Sequence, residues 1–174
     1  MFLKAFKEKS NKKYLNKLLS ERCVDVDSSK VYNLAVIINV NENDDYNLFK
    51  SLAKKINVHE NRVRVVGYSN EVREDLNAWD VCFMPKDFGW HGKIKNIGLE
   101  TFLDEKFDIL ISYYLDDCLE LRLMTAKSKS KFKIGLLQSD KRLNDLIINT
   151  SINEYKVFEK EVFKYLTILN KIKK

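Results

Sequence analysis

The stretch FDILISYYLDDCLELRLMTAKSKSKFKIGLLQ, residues 107–138, decides the fold. It contains an apolar run at 109–111, a polar break at 116–117, a helical pattern, and a second apolar run at 134–137. A run that is apolar on both faces is typical of a strand buried in a parallel sheet with helices over it. The stretch therefore predicts a strand–helix–strand unit whose two strands are central, adjacent and parallel.

The rest of the chain repeats this alternation. Short apolar runs predict strands at 31–40, 62–68, 80–84, 107–113, 132–137 and 145–149. Apolar residues three and four positions apart predict helices at 1–22, 45–56, 99–106, 117–129 and 153–173, and the charged stretch 70–77 predicts a short helical turn. We therefore expect an α/β three-layer sandwich, with a mostly parallel, Rossmann-like sheet of five to six strands, a basic N-terminal helix and a long C-terminal helix.

Polar residues beside the predicted helices suggest how the helices begin and end. Asn43 or Asp44 is expected to cap the helix at 45–56. Asp116 and Asp117 are expected to cap the helix that follows them, and the alternative is a carboxylate pair for acid–base or metal chemistry. The lysines of KSKSK, residues 127–131, suit the negative end of a helix dipole.

Composition indicates one globular domain. Of the 174 residues 45% are hydrophobic and 32% are charged, with five glycines and one proline, which disfavours a β-sandwich or barrel. No stretch approaches the roughly 20 apolar residues of a membrane span or forms a signal peptide. The three cysteines, Cys23, Cys82 and Cys118, have no CxxC spacing, which argues against a disulfide framework or a cysteine-based zinc site. We expect a cytoplasmic protein.

The positive charge is concentrated at the N-terminus. Residues 1–22 carry seven basic and two acidic side chains, a balance of +5 within a net charge of +6. We expect 1–22 to form an amphipathic helix that packs on, or projects from, a single domain at 23–174. Its lysines either form a solvated face, contact RNA, a ribosome or another acidic partner, or lie on a membrane surface. The residues expected to make the nucleic-acid or acidic-partner contact are Lys4, Lys7, Lys9, Lys12, Lys13, Lys17, Lys93 and Lys95.

The loop KDFGWHGKIKNIG, residues 86–98, holds three of the five glycines and is the best candidate for a small-molecule site. Ligands of open α/β sheets bind at the carboxyl ends of the strands, where this loop is expected to lie. The alternative is a structural loop whose Trp90 packs into the edge of the core. The residues expected to line such a site are Asn41, Ser69, Lys86, Trp90, His91, Lys93, Asp116 and Gln138.

No catalytic signature accompanies these residues. The motifs GxSxG, GxGxxG and GxxxxGK[ST] are absent, and His59 and His91 are the only histidines, which excludes a multi-histidine metal site. The sequence predicts no catalytic residue, no metal ligand and no cofactor, and it favours a binding protein over an enzyme.

Two resemblances add to this interpretation. The basic N-terminal helix, DFGWHGKIKN, FDILISYY and AKSKSKFKIGLL together resemble a small family of Bacteroidetes proteins with a domain of unknown function, which implies a fold and no activity. FDILISYY followed by LMTAKSKSKFKIGLL is also similar to one strand–helix–strand unit of heptosyltransferase-type glycosyltransferases, which implies a Rossmann-like fold and transfers no catalytic residue.

We therefore expect a cytoplasmic α/β binding or scaffold protein that contacts RNA, a ribosome or an acidic protein through its basic helix. The alternative is a transferase-like enzyme, or a protein that binds a nucleotide or sugar phosphate, at the carboxyl edge of the sheet. The sequence favours a role at a membrane surface less than either of these functions, and it leaves the oligomeric state open.

Overall fold

The computed structural model describes residues 2–24, 27, 29–71, 81–116, 118–136 and 139–172. Most of the predicted helix at 70–77, together with Asp117 and Gln138, lies outside these residues. The helices are α1 (Phe2–Glu21), α2 (Asn47–Lys55), α3 (Ile97–Asp104), α4 (Leu119–Lys127) and α5 (Tyr155–Ile168). The strands are β1 (Leu34–Asn39), β2 (Val63–Tyr68), β3 (Val81–Phe83), β4 (Lys106–Tyr113), β5 (Lys129–Leu136) and β6 (Leu146–Ile148).

The sheet confirms the α/β prediction. Its six strands lie in the order β3-β2-β1-β4-β5-β6, and every neighbouring pair is parallel. Strands β4 and β5, from the stretch at 107–138, are adjacent and aligned with Ile109 opposite Phe132 and Ile111 opposite Ile134. This strand order is that of doubly wound sheets, in which the order of the strands reverses between β1 and β4.

Both faces of the sheet are buried, as the apolar strands require. Successive side chains of a strand point to opposite faces. In β1, Val36 and Ile38 belong to the core formed with α2 and α5, whereas Ala35 and Ile37 belong to the core formed with α1, α3 and α4. The result is a three-layer sandwich with helices on either side of the sheet.

Several predicted helix ends were wrong, and the structure places them at neighbouring residues. Helix α2 begins at Asn47 with Tyr46 as its N-cap residue and no capping side chain, so neither Asn43 nor Asp44 is the cap. The Asn47 amide donates to the carboxylate of Asp45 instead. Helix α3 begins at residue 97 instead of 99, because the side chain of Asn96 accepts from the Leu99 amide.

Helix α4 differs at both ends. It begins at Leu119 with Cys118 as its N-cap residue, so Asp116 precedes the cap and does not fill it. It ends at Lys127, and the remaining lysines of KSKSK enter β5, whose first residue is Lys129. Only Lys127 therefore lies in the last turn, where its charge complements the helix dipole.

Candidate functional site

Helix α1 is docked on the body of the protein through one face. Asn11, Leu15 and Leu19 are its buried residues, and the helix contacts α4 and the single helical turn at Trp90–Gly92. At its N-terminal end Phe2, Leu3 and Phe6 stay exposed, by 83%, 76% and 59%. These three residues therefore lie outside the core, and Asn11, Leu15 and Leu19 provide the buried attachment of α1.

Asn11 joins the helix to the glycine-rich loop. Its amide nitrogen donates to the carbonyl of Gly89 at 3.0 Å, and its amide oxygen accepts from the Gly92 N–H at 2.9 Å. The side chain is only 2% exposed. One buried amide thus satisfies a donor and an acceptor of a loop that would otherwise leave both without a partner. We call this pair of hydrogen bonds the Asn11 clamp.

Two further contacts lie beside the clamp. Lys7 donates through Nζ to the Phe88 carbonyl at 3.0 Å, and the His91 N–H donates to the Ser10 hydroxyl at 3.2 Å. Residues 7, 10, 11 and 14 lie on one helix face because they are three or four positions apart. The polar side chains of this face form hydrogen bonds with the backbone of residues 88–92, so the loop conformation and the helix position depend on each other.

The loop has the irregular backbone that its glycines predict. Gly92 has a φ of 68°, and a Cβ atom there would lie 2.3 Å from the ring of Tyr14. His91 also has a positive φ, of 55°. Residue 92 must therefore be glycine both for its backbone conformation and for the close approach of α1.

The aromatic residue that anchors this loop in the core is Phe88. It is 0% exposed and packs against Phe83, with ring centroids 5.9 Å apart. Trp90 is 44% exposed. The alternative in which Trp90 packs into the edge of the core was therefore wrong, and its indole is available at the surface.

An open groove of about 690 Å³ lies between helix α1 and the loop. Aromatic rings from both sides, Phe6 and Trp90, contribute to it, and so does the exposed His91. The basic wall of the groove comes from α1. The full lining is Phe6, Lys9, Ser10, Lys12, Lys13, Asn16, Trp90 and His91. We call this surface the α1–loop groove.

The lysines of α1 differ in how far their charges are neutralised. Lys12 pairs with Glu8 at 2.6 Å, and this hydrogen bond lowers the pKa of the Glu8 carboxyl. Lys17 approaches Glu21 at 3.9 Å. Within the described ranges no acidic side chain lies within ion-pair distance of Lys9 or Lys13. These two lysines therefore provide the unneutralised positive charge of the α1–loop groove.

The other residues predicted to contact an acidic partner lie around the same helix and loop. Lys4 and Lys7 border a second groove, of about 340 Å³, formed with Pro85 and the start of α4. Lys93 and Lys95 are exposed on the loop, as is Lys86 of the predicted small-molecule set. The basic surface thus extends from α1 onto the 86–98 loop.

The predicted small-molecule residues are distributed over different surroundings. Asn41 is exposed and donates to Asn39, while Ser69 is fully buried and its hydroxyl is bonded to the backbone of Glu71. Asp116 is exposed at the end of β4. Among the members of this set that the structure describes, Trp90 and His91 are the two that line the α1–loop groove.

A carboxylate that the sequence did not single out occupies the crevice between the ends of β1 and β4, where the strand order reverses. Glu42 accepts hydrogen bonds from the Leu115 N–H at 3.0 Å and from the Asp116 N–H at 3.0 Å. In doubly wound sheets ligands bind in the crevice at this point. Any nucleotide or sugar phosphate that used these two amides would first have to displace Glu42.

The thiol of Cys118, which lies between β4 and α4, is not activated as a nucleophile. Burial raises the pKa of Cys118 above its ordinary value, and burial together with Cys118 raises the pKa of Tyr68. Cys118 is therefore protonated at neutral pH, whereas a nucleophilic cysteine needs a lowered pKa.

Comparison with known proteins agrees with the full-length resemblance. A family described as "Family of unknown function (DUF6913)" matches residues 7–169. The chain belongs to this family. No curated protein and no solved structure matches the chain. The DUF6913 match begins inside α1 and runs through α5, so it includes the Asn11 clamp and every lining residue of the α1–loop groove except Phe6.

Among the helices that the structure describes, none is both long enough and apolar enough to cross a membrane.

Proposed function

We propose that this protein is a non-catalytic binding protein whose α1–loop groove contacts RNA. The observation that carries the proposal is the Asn11 clamp, which fixes the basic helix against the loop that presents Trp90 and His91. A basic arm that only supplied charge would not need a buried amide to set its position on the body.

The charges of the groove support a polyanionic partner. Lys9 and Lys13 belong to the same exposed wall and have no acidic partner in the described part of the chain. Lysines placed in this way neutralise phosphates and release the counterions that surround a nucleic acid. Exposed aromatic rings between basic side chains are typical of surfaces that bind RNA.

The experiment compares two charge-reduced variants in RNA binding measured by fluorescence anisotropy over a range of salt concentrations. The first is Lys9→Gln with Lys13→Gln. The matched control is Lys156→Gln with Lys160→Gln, which removes the same charge from exposed positions of α5 on the other side of the sheet. The groove variant should weaken binding and reduce the slope of log K against log salt by about two, one for each phosphate contact. The α5 variant should leave the slope unchanged.

Two outcomes would overturn the proposal. One is that intact protein binds no RNA at low salt; the other is that both variants reduce the slope equally. Parallel measurements with poly-glutamate and with liposomes of anionic phospholipid identify the other possible partners. Binding to either probe without binding to RNA would assign the groove to an acidic protein or to a membrane surface instead.

A further inference from the structure

We infer that the RNA recognised by the α1–loop groove is single-stranded and that one of its bases stacks on the indole of Trp90. This inference rests on the proposed function and adds to it the form of the nucleic acid and the residue that distinguishes it.

The first argument is the way in which the loop holds Trp90. The Lys93 N–H donates to the Trp90 carbonyl at 3.0 Å, and the Gly89 N–H donates to the Lys93 carbonyl at 2.7 Å. These bonds and the Asn11 clamp fix the backbone on both sides of the tryptophan, yet 44% of the residue is exposed. An aromatic residue whose backbone is already fixed loses only side-chain freedom when a flat partner packs on its exposed ring.

The second argument is the combination of groups that face the groove. Phe6 lies on the helix side and Trp90 on the loop side, with Lys9 and Lys13 on the wall beside them. Aromatic platforms next to a line of cations are the arrangement that binds single strands, because bases stack on the rings while phosphates meet the cations. The volume of about 690 Å³ is in the range of small-ligand sites and suits individual exposed bases.

The third argument excludes the duplex form. In an A-form helix the bases are stacked on one another and the backbone faces outward, so Trp90 would find no base face to cover. An extended acidic peptide would satisfy the lysines but would likewise offer no flat ring for the indole. Single-stranded RNA is the polyanion that uses both the cations and the aromatic groups of this surface.

The test uses three short probes of equal length: a single-stranded RNA, its duplex, and a strand of the same backbone without bases. The intact chain is compared with Trp90→Ala, with Trp90→Phe, and with Tyr165→Ala as a control, because Tyr165 is a 36% exposed aromatic residue on α5. Thermal unfolding of each variant verifies that it is folded.

The intact protein should bind the single strand more tightly than the duplex or the abasic strand. Trp90→Ala should weaken binding of the single strand about tenfold and leave the salt slope unchanged. The same substitution should have little effect on the abasic strand, which has no base to stack. Trp90→Phe should restore part of the loss, and Tyr165→Ala should behave as the intact protein.

The possible failures are distinguishable. If the intact protein binds none of the probes, the proposed function itself fails. If it binds all three equally and Trp90→Ala changes none of them, the groove contacts phosphates only and the stacking inference is overturned while RNA binding stands. Equal losses for Trp90→Ala and Tyr165→Ala would also overturn the inference.

Discussion

Replacing Asn11 by alanine should detach the basic helix from the loop and destabilise the protein. The substitution removes both hydrogen bonds of the Asn11 clamp. It leaves the Gly89 carbonyl and the Gly92 N–H, which belong to buried residues, without their partner. An unsatisfied buried backbone group costs about 1–3 kcal/mol, so two such groups together should cost about 2–6 kcal/mol, less whatever entering water recovers.

The matched control is Asn16→Ala in the same helix. Asn16 is exposed, and its side-chain oxygen accepts one long hydrogen bond, 3.4 Å, from Arg142. Both variants exchange asparagine for alanine in α1, so the gain in helix propensity is common to them and cancels. Asn16→Ala should change the free energy of unfolding by no more than about 0.5 kcal/mol.

Urea denaturation followed by circular dichroism measures the two free energies, and hydrogen exchange of the α1 amides shows where the loss occurs. In Asn11→Ala those amides should exchange faster than in the control, while the amides of β1 and β4 exchange only as much faster as the global stability has fallen. A difference of less than about 1 kcal/mol between the two variants would refute the reasoning, because buried polar groups left unpaired cost at least that much.

Three other substitutions test separate parts of the structure. Gly92→Ala should destabilise by about 1–3 kcal/mol in urea denaturation, because its Cβ would lie 2.3 Å from Tyr14 at a positive φ; a neutral result would contradict the close approach of α1. Glu42→Ala should cost about 1–2 kcal/mol, since the Leu115 and Asp116 amides lose their acceptor at a partly exposed site, and an unchanged midpoint would show that the contact contributes nothing. Burial, with a smaller effect from Arg22, lowers the pKa of Lys133 from 10.5 to about 7. Between these two values the unfolded chain binds more protons than the folded one, so the free energy of unfolding should rise with pH by about 1.4 kcal/mol per unit. The free energies of unfolding of the intact protein and of Lys133→Met are measured from pH 7.5 to 9.5, and the variant should lack this rise. Equal slopes of free energy against pH in the two proteins would show that Lys133 stays charged.

The sequence predicted the sheet well because its strands carry a strong local signal. In β1 and β4 consecutive residues are apolar on both faces, and only a central position in a covered parallel sheet buries them all. The strand order beyond the pairing of β4 and β5 was not predictable, since it depends on which connections cross the sheet. Helix ends were less accurate: Asn96 caps α3 so that it begins two residues before its predicted start, and α2 begins at Asn47 without any capping side chain.

The candidate site was predictable in its parts and not in its assembly. The lysines of α1 and the loop with Trp90 were both singled out from composition. Nothing local in the sequence of α1 marks Asn11 as different from Asn16, because its partners, Gly89 and Gly92, lie 78 and 81 residues further along the chain. Such long-range pairs are invisible to periodicity, and so the sequence favoured a site at the strand ends.

This same separation has a consequence for how the protein is made. Helix α1 is synthesised before its hydrogen-bonding partners in the loop, which follow about 80 residues later. At about 5–20 residues per second this delay lasts about 4–16 seconds. During that time Leu15 and Leu19, which are buried in the finished protein, have no loop or α4 to cover them. The nascent helix therefore passes through an interval in which chaperones can bind its apolar face, and its docking completes only after the body of the sheet has begun to form.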